Sequence, residues 1–198
     1  MVGLVGEVDE RFLARLAQYP NVSVARAPAA EPGAARPGWQ AGAEAMREAA
    51  RRRSTYVLVP DDPLADVAVA WRAMWDLSGG PGAAAQFEAR AAEVLAAWRD
   101  KRFELPDYYL VLAGAAPEGT GPDLYLGPLR AARPRRVALA ATPGSPAGAD
   151  GPAARAASLL DTLRGLEHGP WWPPLDELID AARRFYAGGL TETQLMPA

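Results

Sequence analysis

Residues 54–67 read STYVLVPDDPLADV. The segment TYVLV is short, rich in β-branched and apolar residues and uninterrupted by charge, the pattern of a strand buried on both faces of a parallel sheet. Pro60 ends it. After the Asp61-Asp62-Pro63 triplet, Leu64, Val67, Trp71 and Trp75 recur at helical spacing, with Val69, Ala70 and Ala73 widening the stripe, so the segment 64–77 is expected to be a largely buried helix. A buried strand running into a capped helix is half of a βα unit. Parallel neighbours require such crossover connections, so this stretch points to an α/β domain.

Working outward, the same alternation recurs on both sides. VGLV (2–5) and NVSVA (21–25) are expected strands, separated by a helix over 10–19 that presents Phe12, Leu13 and Leu16. The Pro/Gly/Ala segment 28–38 is a loop, and a helix is expected over 39–53. SGGPG (78–82) separates the 64–77 helix from another over 83–100, which shows Phe87, Ala91, Val94, Leu95 and Trp98 on one face. DYYLVLAG (107–114) and RRVALAAT (135–142) are the fourth and fifth strands, with a short helix near 123–132 between them. Helices over 153–166 and 175–186 flank the segment EHGPWWPP (167–174). Five strands separated by helices predict a Rossmann-like three-layer domain with a mostly parallel five-stranded sheet and right-handed crossovers. Residues 1–166 form that domain, and 167–198 supply a Trp-rich segment, a helix and a tail packed on it.

Composition removes whole chemistries. The chain of 198 residues has no cysteine and a single histidine, His168, against 21 Lys+Arg and 24 Asp+Glu, for a formal charge of −3. Disulfides, thiolate nucleophiles, Cys-ligated metals and paired-histidine metal sites are excluded. The single lysine, Lys101, lies outside any GxxxxGK[ST] pattern, and VGLVGEVDE lacks the GxGxxG spacing. The small negative charge argues against nucleic acid, and the absence of a long apolar run argues against a membrane. A cytoplasmic protein from a bacterium with a GC-rich genome is expected, given the abundance of Ala, Gly, Pro and Arg and the lack of a signal-peptide pattern at the start.

Ligands of open α/β sheets bind outside the carboxyl ends of the strands. Glu7 and Asp9 follow the first strand, Asp61 and Asp62 the third, Glu118, Thr120 and Asp123 the fourth, and Thr142 and Ser145 the fifth. Each acid also has a structural reading. Asp62 before Pro63 suits a helix N-cap with proline at N1, Asp9 caps the first helix, and Asp123 suits a first helical turn. Asp61 alone is left without a structural duty, and it keeps the functional claim.

The loop 114–123 offers Gly114, Gly119 and Gly121 between a strand and a helix, where backbone amides can hold an anion. His168 with Trp171 and Trp172 could line a pocket for a flat ligand; a turn residue and an apolar lid over the sheet are the structural alternatives. Arg51–Arg53 and Arg130, Arg133, Arg135 and Arg136 precede strands three and five, where the helix dipole favours cations without any nucleic-acid partner.

Two functions fit this inventory. The first is a non-catalytic interaction or small-molecule-binding protein, whose partner is a small molecule or another protein and for which an oligomer is compatible. The second is a small enzyme acting on a nucleotide-like or phosphorylated substrate, with Asp61, Glu7 and Asp62 as general-base or Mg²⁺-holding carboxylates. No cofactor identity follows from the residues.

Overall fold

The computed structural model describes residues 1–6, 8–29, 36–75, 80, 82–112, 123–140 and 152–194. The elements follow in chain order as β1 (Val2–Val5), α1 (Glu10–Leu16), β2 (Val22–Val24), α2 (Gly38–Ala49), β3 (Tyr56–Val59), α3 (Ala65–Trp75), α4 (Ala83–Arg99), β4 (Tyr108–Leu112), a wide helical turn Tyr125–Leu129 running into α5 (Arg130–Ala132), β5 (Val137–Ala140), α6 (Pro152–Arg164) and α7 (Leu175–Gln194). The five strands form one all-parallel sheet in the order β2-β3-β1-β4-β5. The fold is Rossmann-like α/β, as the alternation of strands and helices predicted. Among the described residues no helix is long and apolar enough to cross a membrane.

Register assigns the faces. Val2, Leu58 and Tyr108 lie side by side on one face, and Gly3, Val59 and Tyr109 on the other, because side chains alternate along a strand. The first face is covered by α1 and α6, whose Phe12, Leu16, Leu159 and Leu163 pack on Leu4, Leu58 and Leu110. The second face carries α2 against Val57 and Val59, and α3, α4, the wide turn and α7 against Tyr109 and Val111. Trp71 is wholly buried there, with Phe87 of α4 at 5.7 Å and Tyr186 of α7 at 6.3 Å between ring centroids.

Three segments differ from the periodicity. α7, expected over 175–186, continues to Gln194 into the expected tail. α2 ends at Ala49, short of residue 53, and Arg51 and Arg52 fold back onto Glu48. The turn 125–129 is widened because Pro128 has no N–H to give; the N–H of Leu129 donates instead to Leu124 O, five residues back, at 3.1 Å.

The sheet has a topological switch at β1. The chain leaves β1 toward α1 on one face, whereas it leaves β3 and β4 toward helices on the other, so the loops part above the end of β1 and leave a crevice. α2 approaches that crevice closely. A Cβ built on Gly42 would lie 2.2 Å from Pro63 N and 2.6 Å from Asp62 C, both backbone atoms that cannot swing aside. Gly42→Ala is therefore expected to destabilise the fold by about 1–3 kcal/mol through overpacking. Urea unfolding reads this, and a loss below about 0.5 kcal/mol would contradict the contact.

Candidate functional site

Asp62 lies at the bottom of the crevice with 7% of its surface exposed. Its Oδ1 accepts from the hydroxyl of Tyr109 at 2.9 Å and from the N–H of Leu64 at 3.2 Å, and its Oδ2 accepts from the hydroxyl of Tyr125. Asp62 does cap the turn into α3, as the sequence suggested, but the cap is the smaller part of its role. Tyr109 and Tyr125 are both buried, their ring centroids 5.0 Å apart.

The reach of Tyr109 depends on Gly3. Its ring lies over β1 where a Cβ on Gly3 would stand 2.9 Å from Cδ1 and Cε1. A side chain at position 3 would push the ring off the line to Asp62. Glycine weakens a strand interior, and its presence in a central strand marks such a close approach.

Burial raises the Asp62 carboxyl above its ordinary pKa; the hydrogen bonds from Tyr125, Leu64 and Tyr109 pull the other way without cancelling it. Burial, and then the Asp62 charge, raise both tyrosine hydroxyls well above their ordinary value. The hydroxyls therefore remain donors at any working pH.

Above this group is a cavity of about 260 Å³ lined by Leu4 and Val5 of β1 and Gly6 just after it, Pro60 and Asp62 after β3, Ala65, Ala68, Val69 and Arg72 of α3, and Asp123 and Tyr125 after β4. Val69 is 71% exposed at its rim. Arg72 Nη2 donates to Asp123 Oδ2 at 3.3 Å, and Asp123 Oδ1 accepts the N–H of Tyr125 at 2.8 Å, so the ion pair at the mouth is tied to the turn that supplies Tyr125.

The residues singled out from the sequence separate into three groups. Asp61 does have a structural duty: its Oδ2 accepts the N–H of Ala27 at 2.8 Å, tying the exit of β2 to the exit of β3. It does not line the cavity, whereas its neighbour Asp62 does. β1 and β3 are neighbours, the condition for Glu7 and Asp61 to share a ligand. Glu7 itself, Gly114, Glu118, Gly119, Thr120, Gly121, Thr142 and Ser145 lie outside the described residues.

His168, Trp171 and Trp172 sit at the amino edge of the sheet, opposite the crevice. Trp172 is buried, its Nε1 donating to Pro106 O at 2.7 Å and its ring 5.8 Å from that of Tyr109. Trp171 is 60% exposed, with the Arg136 guanidinium 4.6 Å from its ring centroid. Arg136, read from sequence as one of the cations that the helix dipole favours before β5, is itself buried, and donates to the carbonyls of Asp107, Gly169 and Pro170. It staples the segment before α7 to the sheet. Sequence reasoning missed Arg72 and Tyr125, because their meeting with Asp62 and Asp123 is set by how α3 and the wide turn pack, which no local pattern encodes.

Among the described residues no three acidic or histidine side chains gather closely enough to hold a metal ion. No protein-family model, curated protein or solved structure matches the chain.

The raised Asp62 carboxyl has a definite consequence for pH. In the unfolded chain it titrates at the ordinary value of about 4, and in the native state higher. Between the two values the native state holds a proton that the unfolded state has lost, so stability falls as pH rises through that interval. Asp62→Asn lacks this step. Urea unfolding from pH 4 to 8 should show the stability of the wild type relative to D62N declining with pH; a difference that grows with pH would contradict the assignment.

Proposed function

We propose that the protein binds a small molecule carrying an anionic group in the crevice above β1 and β3. The observation that carries this reading is the cavity of about 260 Å³ at the switch point, where a guanidinium, a buried carboxyl with its two tyrosines, and an apolar wall converge. Ligand sites combine this kind of concave apolar lining with a few convergent polar groups. A titratable group displaced from its ordinary pKa at the floor of a cleft is a further mark of a site.

Binding fits the geometry better than catalysis by the carboxylates. Asp62 already spends three of its roughly four acceptor sites on Tyr109, Tyr125 and Leu64, and Asp61, bound to the N–H of Ala27, does not line the cavity. A general base needs a free lone pair within reach of the proton it takes. Among the described residues, Arg72 is the group with capacity to spare. Its guanidinium carries five donors, and Asp123 engages it through Nη2. A phosphate or carboxylate of the ligand would take the remaining donors, with the apolar body against Val5, Ala65 and Ala68.

Thermal unfolding in the presence of nucleoside monophosphates, sugar phosphates and small dicarboxylates tests the reading. A ligand at about 100 times its Kd should add about 2.7 kcal/mol of stability, and Arg72→Ala should abolish the effect. The substitution by itself should cost less than about 1 kcal/mol, because the Arg72–Asp123 pair is partly exposed. Absence of a shift with every compound, or an undiminished shift in R72A, would reject the proposal.

A further inference from the structure

The edge of the sheet at β2 presents a second, larger depression of about 560 Å³, walled by α1 on one side and α2 on the other. Among the described residues β2 pairs with β3 alone, and the floor of the depression is its other side. Tyr56 N donates to Asn21 O and Ala25 N to Leu58 O, each at 2.9 Å, so the alternation of a parallel ladder turns the N–H and C=O of Val24 and the N–H of Arg26 away from β3. These are the groups onto which a further strand would pair.

The two walls differ in chemistry. α1 and its C-cap contribute Leu13, Ala14 and Ala17, and the end of α2 with the turn after it contributes Arg47, Arg51 and Arg52. The carboxylates nearby are already engaged: Glu10 pairs with Arg26, Glu44 with Arg36, and Glu48 with both Arg51 and Arg52. Among the described residues no carboxylate pairs with Arg47, and one of the two cations sharing Glu48 is in excess. The groove is cationic on a chain whose net charge is −3.

We infer that this groove receives an extended segment of a partner protein in which apolar and acidic residues alternate, added as a short sixth strand beside β2. A strand sends successive side chains to opposite faces. One set then meets the apolar wall of α1 while the other meets the arginines of α2. Pro20 and Pro28 bracket the open edge and confine the pairing to a few residues. A second copy fits less well: antiparallel pairing of two β2 edges in a continuous sheet keeps like faces together and would set the α2 arginines of one copy against those of the other.

The probe is a fluorescein-labelled peptide, acetyl-Val-Glu-Val-Asp-Val-Glu-amide, titrated by fluorescence anisotropy into the full chain. Saturable binding with a Kd on the order of 100 μM is expected for so short a strand, about tenfold weaker for Arg47→Glu. It should be lost in Val24→Pro, which removes an outward N–H and no bond to β3; Val24 also packs against the core, so thermal unfolding checks that V24P is folded at the temperature of the titration. Four results would overturn the inference: no saturation by about 1 mM, retained affinity in V24P, equal binding of a peptide with lysine in place of each acid, or a dimer in sedimentation that V24P dissociates.

Discussion

The buried carboxyl of Asp62 is the constraint on which the carboxyl edge of this fold depends. An ionisable group so deeply placed is costly unless its lone pairs are satisfied, and here three elements send donors to it: Tyr109 from β4, Tyr125 from the wide turn, and the backbone of Leu64 at the start of α3. One small group thereby sets the relative positions of β3, β4, α3 and the connection after β4. The surrounding sequence makes room for it. Gly3 lets the Tyr109 ring cross β1, and Gly42 lets α2 pass against the Asp62–Pro63 backbone.

The crevice follows from that arrangement. Its floor is polar but internally satisfied, its wall on α3 is apolar and its mouth is held by the Arg72–Asp123 pair. Asp123 both accepts from Arg72 and orients the turn bearing Tyr125. A ligand anion on the remaining donors of Arg72 would thus sit beside the pair that holds the turn closing the Asp62 group. Site and scaffold are coupled through a single aspartate at each end.

Much of the architecture was legible in the sequence because it rests on local signals. The TYVLV segment and its capped helix, repeated with variation along the chain, were enough for an α/β domain, and all five strands occur where alternation and apolar runs placed them. The site was legible only in part. Proximity to a strand end brought Asp62, Asp61 and Asp123 into view, but which aspartate faces the crevice depends on a turn of one residue in the chain, and Asp61 proved to be held by Ala27 of a different strand exit. Tyr125 and Arg72 carry no sequence mark, since their roles arise from contacts with residues 63 and 51 positions away. Arg136 shows the converse: a residue of a basic run, outwardly suited to solvent, is buried because three carbonyls and two aromatic rings receive it.

Asp62 and Tyr125 act as one unit across the sheet edge. A double-mutant cycle with Asp62→Asn, Tyr125→Phe and the double variant, each measured by urea unfolding at pH 7, tests it most directly. A coupling energy of about 1 kcal/mol or more is expected for a buried hydrogen bond between them. Additive effects, with coupling below about 0.3 kcal/mol, would contradict it.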